Sequence, residues 1–324
     1  LSRSSAASDV YKRQEFNFVW LFAIIAGIAI LILSIYGATQ VGQNIEVENE
    51  ASIAKKLTIL TDPLEAGFTS ATFGTITFQR ETEIRNECHD IGFGESSISA
   101  KTKSDINTGN TKFSVPVSSS EKYIFSQEVD SGTSYYVLSK AFNFPFKIAD
   151  FVILVSDSEQ YCFKDAPSDV VEELSSLQIP VVSFDNCSRR DSDTVVVCFG
   201  NADCDVSVIG TCTSCQDIYA RGDITKNGKT VSYVGNLLYA GIFSSSGLYE
   251  CNVNRLLHRG SLTASVLTRK AELMNARGCN TNMRPVLATW SGLLANATAD
   301  DMASLHPNAV EMEDAAKWEV CSVW

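Results

Sequence analysis

The sequence predicts an α+β fold, with an N-terminal transmembrane helix and stalk, a mixed-sheet core with a small α/β unit, and a C-terminal helical subdomain. Three observations support this prediction. An uncharged apolar run lies near the N-terminus, strand-like segments follow as far as residue 245, and apolar residues recur at helical spacing beyond it. With 45% hydrophobic residues among 324, the chain can bury a large core.

The chain divides into four predicted segments. Residues 1–14 include the run Asp9–Gln14, which resembles translated sequencing-adapter sequence, and we interpret this segment as non-native. Residues 16–60 form the predicted transmembrane helix and stalk. Residues 61–245 form a mixed α+β domain, and residues 246–324 a helical subdomain packed on it.

The predicted anchor comprises residues 18–36, which are 19 uncharged and mostly apolar residues. A helix of that length spans about 28 Å, close to the roughly 30 Å of a bilayer's hydrocarbon core. Trp20 and Tyr36 lie near its ends, where aromatic rings favour the interface. A core helix would carry a polar face, which this run lacks. A cleaved signal peptide, with small residues at Gly37–Thr39, is an alternative that stays open.

The residues after the anchor indicate its orientation. Residues 37–54 contain no Lys or Arg, although Glu46, Glu48 and Glu50 are acidic. Because basic residues are retained in the cytoplasm, their absence favours a C-terminal part outside the cell. The lipid bilayer is therefore the expected partner of residues 18–36, and the expected location is the cell membrane with an extracytoplasmic body.

The stalk follows the anchor directly. Ile45, Ile53, Leu57 and Leu60 fall roughly on one helical stripe, and Asp62-Pro63 ends it. A membrane helix that continues into an amphipathic helix resembles the N-terminal stem of type IV pilin-like proteins. The segment from Glu15 to Ala23, EFNFVWLFA, together with the cysteine-bearing body, resembles uncharacterised membrane-anchored proteins of archaea. A plain single-span anchor is the alternative.

Alternating apolar and polar residues predict antiparallel strands in residues 72–104, and a polar loop in 105–120. The continuous apolar run Phe151–Val155 is typical of a strand buried on both faces. With the helical spacing after Pro167 and the strand-like Val181–Phe184, it predicts a strand–helix–strand unit. Further strands are predicted at Thr194–Phe199, Asp205–Ile209 and Val231–Leu238, with a hairpin turn at Lys226–Lys229.

The C-terminal part is predicted to form an up-down-up set of helices. The first carries a heptad seam with small residues that permit close helix approach: Val253, Leu257, Gly260, Ala264, Leu267, Ala271, Met274 and Gly278. A second helix begins at Pro285, and Thr298–Asp301 caps a third that Pro307 divides or restarts. The alternative function of the seam is to bind a partner helix.

All ten cysteines follow the anchor, which predicts an oxidising exterior and a disulfide framework. They are Cys88, Cys162, Cys187, Cys198, Cys204, Cys212, Cys215, Cys251, Cys279 and Cys321. A helix over 251–278 would separate Cys251 from Cys279 by about 42 Å, too far for a disulfide. The up-down-up arrangement instead brings Cys279 near Cys321, and this pair is the predicted bridge.

The cluster Cys198, Cys204, Cys212 and Cys215 allows three interpretations. Four thiolates could bind zinc, although a zinc ribbon normally supplies two C-x-x-C pairs and one is present here. Cys212 and Cys215 could form a redox pair of a thiol–disulfide oxidoreductase, although strands and turns surround them. Structural disulfides are the preferred interpretation, so no zinc or other cofactor is expected.

The remaining chemistry-bearing residues indicate no catalytic centre. His89 follows Cys88, His258 is predicted on a helix surface, and His306 is predicted to act as a cap. Asp157–Tyr161 resembles the start of a metal-adhesion motif but lacks its serines, while Asp203 and Asp205 could contribute to a calcium site. Asn186-Cys187-Ser188 and Asn296-Ala297-Thr298 match the glycosylation pattern.

The charge balance narrows the classes of function. The chain has 26 Lys and Arg against 38 Asp and Glu, a formal charge of −12, which excludes a general nucleic-acid binder. Nucleophile-elbow, phosphate-loop and zinc-protease motifs do not occur. The sequence thus predicts a structural or interaction protein at the cell surface, with a pilin-like subunit or an oxidoreductase as alternatives and protein partners possible there.

Overall fold

The computed structural model describes residues 24–34, 72–103, 113–184, 187, 194–200, 204–211, 215 and 217–324. Two compact units comprise Leu1–Asn49 and Glu50–Trp324. In the first unit, residues 24–34 form helix α1, and its large apolar side chains are exposed. Within the described residues, no helix has both the length and the apolar character needed to cross a bilayer. The rest of the predicted span, and the stalk with its pilin-like stem, lie outside the described residues.

The second unit contains two mixed sheets and five helices in its described part, so the α+β class is confirmed. The strands are β1 (Thr72–His89), β2 (Glu95–Thr102), β3 (Val117–Ser119), β4 (Ile124–Phe125), β5 (Val129–Asn143), β6 (Lys147–Ser156), β7 (Gln160–Lys164), β8 (Val182–Ser183), β9 (Thr194–Phe199), β10 (Val206–Thr211), β11 (Arg221–Lys226) and β12 (Lys229–Val234). The helices are α2 (Ser168–Leu177), α3 (Leu237–Phe243), α4 (Ser246–Ala276), α5 (Met283–Leu294) and α6 (Met302–Ala316), with a 3₁₀ turn at Ala299–Asp301.

The first sheet, sheet A, has the strand order β3-β2-β1-β5-β6-β4. Its antiparallel β1–β2 hairpin, which the alternating pattern predicts, turns through Gly92 and Gly94, both at positive φ. The edge strands β3 and β4 are joined by residues 120–123 alone. Five residue steps reach at most about 18 Å, whereas the edges of a flat six-stranded sheet lie about 24 Å apart. Sheet A must therefore curl.

The central residues of β6 are all apolar because the strand is buried on both faces. Phe151, Ile153 and Val155 enter the main hydrophobic cluster, which the helices share, whereas Val152 and Leu154 enter a second cluster on the opposite face. The predicted burial on both faces is confirmed. The predicted place in the α/β unit is wrong, because β6 pairs with β5 and β4 inside sheet A.

The second sheet, sheet B, has the order β12-β11-β10-β9-β7-β8 and contains the α/β unit. The α/β unit begins with β7, crosses over through α2 and returns in β8, which lies parallel to β7. Val170 and Leu174 bury the apolar face of α2, as their spacing predicts. The α/β unit is thus present, but it begins one strand later than predicted.

Strands β11 and β12 form the predicted hairpin. Asn227 and Gly228 both have positive φ, the conformation of a two-residue type I′ turn. The prediction that the following strand continues through Leu238 is wrong. Strand β12 ends at Val234, and the buried residues from Leu237 onwards form α3. A short apolar run does not by itself distinguish a buried helix from a strand.

A buried ion pair links α2 to sheet A. Lys140 of β5 pairs with Glu173 of α2, and the Tyr239 hydroxyl of α3 donates a hydrogen bond to the same carboxylate. The Lys140 ammonium also lies 4.7 Å from the centre of the Tyr239 ring. Burial lowers the pKa of Lys140, and the paired carboxylate offsets part of that cost.

The heptad seam of α4 is covered from within the chain. A Cβ added at Gly260 would lie 2.8 Å from a methyl group of Ile148 and 2.9 Å from one of Leu294, so both side chains would have to shift to admit a larger residue. Ser261 donates a hydrogen bond of 2.8 Å to the Ser291 carbonyl across the same contact. The alternative of a partner helix on this part of the seam is therefore wrong.

The third helix begins as the sequence predicts. Thr298 and Asp301 form a reciprocal capping box before α6. Pro307, however, lies inside α6 without ending it, so the predicted division there is wrong.

Candidate functional site

Four disulfides join described cysteines. The pairs are Cys88–Cys251, Cys162–Cys187, Cys198–Cys204 and Cys279–Cys321, with Cα–Cα distances of 6.1, 5.5, 6.0 and 5.9 Å. These distances lie within the ordinary range for a disulfide. The last pair joins the end of α4 to the segment after α6, and it is the pair that the helix arrangement predicts.

The Cys198–Cys215 cluster does not provide a set of thiolates. Cys198 is bonded to Cys204, and Cys215 is also disulfide-bonded. Because zinc binds thiolates, the weak zinc alternative does not fit these three residues. Cys212 lies outside the described residues. Cys215 is 0% exposed, so the attacking thiolate of a Cys212/Cys215 redox pair would have to come from Cys212, and this alternative stays a prediction.

The three histidines have different environments. His89 cannot activate a neighbouring thiol, because Cys88 is oxidised to the disulfide with Cys251. His258 lies on α4, half-buried, with its ring centre 6.0 Å from that of Phe93.

His306 is not the predicted cap. It lies inside α6, buried, with Nε2 2.7 Å from the Ile218 carbonyl oxygen. A carbonyl only accepts, so Nε2 carries the proton and Nδ1 is the unprotonated nitrogen. Nδ1 is buried without a hydrogen-bond partner among the described residues. Burial, and secondarily Arg221, lowers the pKa of His306.

The carboxylates of the acidic candidates accept hydrogen bonds from backbone amides. Asp157 accepts hydrogen bonds of 3.0 Å from the amides of both Thr133 and Ser134, so its carboxylate holds β5 just before the pairing of β5 with β6 begins at Tyr135. Asp205 accepts one of 2.9 Å from the Val196 amide of β9. Among the described residues, no group of three or more His, Cys, Asp or Glu is placed to hold a metal ion. Asp203 lies outside the described residues.

A cleft of about 420 Å³ that no sequence pattern predicts lies beside α4. The β1–β2 turn, residues 120–123 and one face of α4 enclose it. Its lining combines cations, aromatic rings and aliphatic side chains: Phe93, Ser120, Glu121, Tyr123, Arg255, His258, Arg259, Leu262, Thr263 and Val266. No spacing pattern in the sequence brings these three segments together.

Arg255 forms the floor of this cleft and is 2% exposed. Its Nη1 donates to the Lys122 carbonyl at 3.0 Å and to Ser96 Oγ at 2.7 Å, and its Nη2 donates to the Ser120 carbonyl at 3.0 Å. The guanidinium carbon lies 4.7 Å from the centre of the Tyr123 ring. No carboxylate of the described residues forms a direct ion pair with Arg255, although Glu95 and Asp90 are close enough to stabilise its charge together with the carbonyl dipoles and the ring.

The β1–β2 turn is held against Arg255. Gly94 has φ of +65°, and a Cβ there would lie 2.7 Å from Arg255 Cδ. The Cys88–Cys251 disulfide joins the end of β1 to the second turn of α4, four residues before Arg255. The cleft is therefore assembled on a covalently fixed frame.

Of the two glycosylation patterns, one lies in a described turn. Asn296 is exposed after α5, and its Thr298 belongs to the capping box. Asn186 lies outside the described residues.

Comparison of the chain with protein families, with curated proteins and with solved structures finds no match in any of the three.

Proposed function

We propose that the chain is a single-pass membrane-anchored protein whose disulfide-stapled body lies outside the cytoplasm and has a structural or interaction role at the cell surface. The observation that carries this proposal is the set of four disulfides between described cysteines, whose partners lie 6 to 163 residues apart. Disulfides of this number persist in oxidising compartments and are rare in the cytosol.

The exposed apolar surface of α1 supports the anchor. Ile25, Leu31 and Leu33 are 58%, 60% and 68% exposed. Such a surface is costly in water, and lipid would cover it. The acidic charge and the absence of a described metal cluster give no support to nucleic-acid or metal-dependent roles, so the proposal rests on location and architecture.

The test translates the full chain in the presence of secretory microsomes. We expect the body to resist added protease until the membrane is opened, its cysteines to resist maleimide labelling until they are reduced, and Asn296 to carry a glycan. Asn296→Gln is the matched control for the glycan. A protease-sensitive body with reactive thiols would overturn the proposal. If deletion of residues 18–36 leaves the body soluble instead of bound to the membrane, that result would support the anchor.

A further inference from the structure

We infer that the cleft beside α4 binds a small monoanionic carboxylate attached to an aromatic or other apolar group. The inference concerns the body alone and does not depend on the side of the membrane on which it lies. It rests on the charge, the wall chemistry and the fixed frame of the cleft.

The charge of the cleft favours a ligand with one negative charge. Arg255 and Arg259 contribute two guanidinium groups, and Glu121 is the one acidic residue in the lining, which leaves a formal charge of +1. This local excess is unusual in a chain of formal charge −12. An arginine at a partly desolvated site is well suited to a carboxylate, because its planar N–H groups match the two oxygens.

The two arginines have different roles in this arrangement. Arg259 is exposed and can reach a ligand, and its Nε already donates to the Ile148 carbonyl at 3.2 Å, which limits its rotamers. Arg255 is fixed at the floor, where its buried Nε–H has no acceptor among the described residues. It therefore contributes positive potential from below, while Arg259 makes the direct contact.

The walls favour an apolar group beside the anion. Phe93 is 72% exposed and Val266 66% exposed, and Leu262 lies on the same face of α4 between Arg259 and Val266. Exposed apolar residues that surround a cationic cleft are expected where a ligand covers them. A fully inorganic anion would leave these walls in water, and a neutral apolar molecule would leave the charge uncompensated.

The frame of the cleft is organised before any ligand binds. The Cys88–Cys251 disulfide, the four acceptors of Arg255 and the glycine contact at residue 94 hold its three sides together. A preformed site does not lose ordering entropy on binding, so a small ligand can bind it with useful affinity.

The test uses the full chain in detergent, with ¹⁹F NMR line broadening of 4-(trifluoromethyl)benzoate as readout and empty micelles as the blank. We expect saturable binding, no comparable binding of the neutral 4-(trifluoromethyl)benzamide, and no displacement of the benzoate by equimolar inorganic phosphate. Arg259→Gln should weaken the benzoate affinity about tenfold, the loss expected for one charge-assisted hydrogen bond. Val266→Asp should weaken it to a similar extent.

Two variants on the same helix control for indirect effects. Arg269→Gln and Leu273→Asp change exposed residues of α4 outside the cleft, and they should leave the affinity unchanged. Equal affinities in Arg259→Gln, Val266→Asp and their controls would overturn the inference. Benzamide that binds as well as benzoate, or phosphate that displaces it, would overturn the chemical class.

Discussion

Cys88, at the end of β1, and Cys251, in α4, are joined by a disulfide although 163 residues separate them in sequence. This bond connects sheet A directly to the helical layer. Cys251 lies in α4, which lines the cleft, and Cys88 lies just before the β1–β2 turn that carries Phe93, so one covalent bond fixes the frame around Arg255.

The disulfides between described cysteines should contribute unequally to stability. In the chain-entropy treatment, a loop of 163 residues corresponds to about 5 kcal/mol and one of 6 residues to about 2 kcal/mol. We expect Cys88→Ser/Cys251→Ser to lose more free energy of unfolding than Cys198→Ser/Cys204→Ser. Urea unfolding of the full chain in detergent measures both losses. Equal losses, or the reverse order, would contradict this expectation.

Arg255 should be required for folding stability as well as for the cleft. Arg255→Met leaves the buried carbonyl of Lys122, Ser96 Oγ and Asn252 Oδ1 without this donor. Ser96 Oγ still donates to the Lys122 carbonyl at 3.1 Å, so the variant loses the charged donor of a buried network rather than every hydrogen bond in it, and a loss of about 1–3 kcal/mol is expected. Arg269→Met, on the exposed face of the same helix, should change stability by less than about 0.5 kcal/mol. Similar urea midpoints for the two variants would show that Arg255 does not stabilise this buried network.

Lys226 should make stability rise with alkaline pH. Its Nζ donates to the Gly241 carbonyl at 2.9 Å at the end of α3, and burial lowers the pKa of this ammonium to about 8. The unfolded chain keeps the proton to a pKa near 10.4. Between these values the unfolded state binds more protons, so the native state gains on the order of 1–2 kcal/mol from pH 8 to 9.5.

The matched variant for this effect is Lys226→Met, which cannot titrate. We measure the free energy of unfolding with urea at pH 7.5, 8.5 and 9.5. As the pH rises, the free energy of unfolding of the unaltered chain should increase relative to that of the variant. A difference that stays constant over this range would rule out a depressed pKa at Lys226.

His306 should make the protein sensitive to mild acid. Because burial lowers the pKa of His306, the unfolded chain takes up a proton first as the pH falls through about 6.5. Stability should therefore decline from pH 7 to 5 more steeply in the unaltered chain than in His306→Gln. His258→Gln retains His306 and should decline as the unaltered chain does. Thermal melts across this range measure the slopes, and parallel slopes for all three proteins would exclude the proposed cause.

Local patterns predict the elements whose stability depends on neighbouring residues in the sequence. The turn at Asn227-Gly228, the apolar face of α2 and the capping box at Thr298 each depend on residues within one or two turns of chain. The Cys279–Cys321 pair is predictable because helix length limits where a cysteine can reach.

Long-range pairing explains what the patterns miss. Phe151–Val155 has the composition of a buried strand in either sheet, and its assignment to sheet A depends on β5 as a partner. Arg255 is a charged residue two positions after the seam residue Val253, and a helical pattern would place it in solvent. Its acceptors at Ser120 and Lys122 lie 135 and 133 residues away in sequence, so no pattern within a short stretch of sequence predicts the cleft.

The Cys88–Cys251 bond also determines how the protein would behave after proteolytic damage. A single cut at any peptide bond between these two cysteines leaves both fragments covalently attached, with the β1–β2 hairpin and α4 in the same molecule. Nicked protein would keep its mass on a non-reducing gel and separate into fragments once a reductant is added. An interval of 163 residues, about half of the 324-residue chain, thus tolerates a break in its backbone without loss of a fragment.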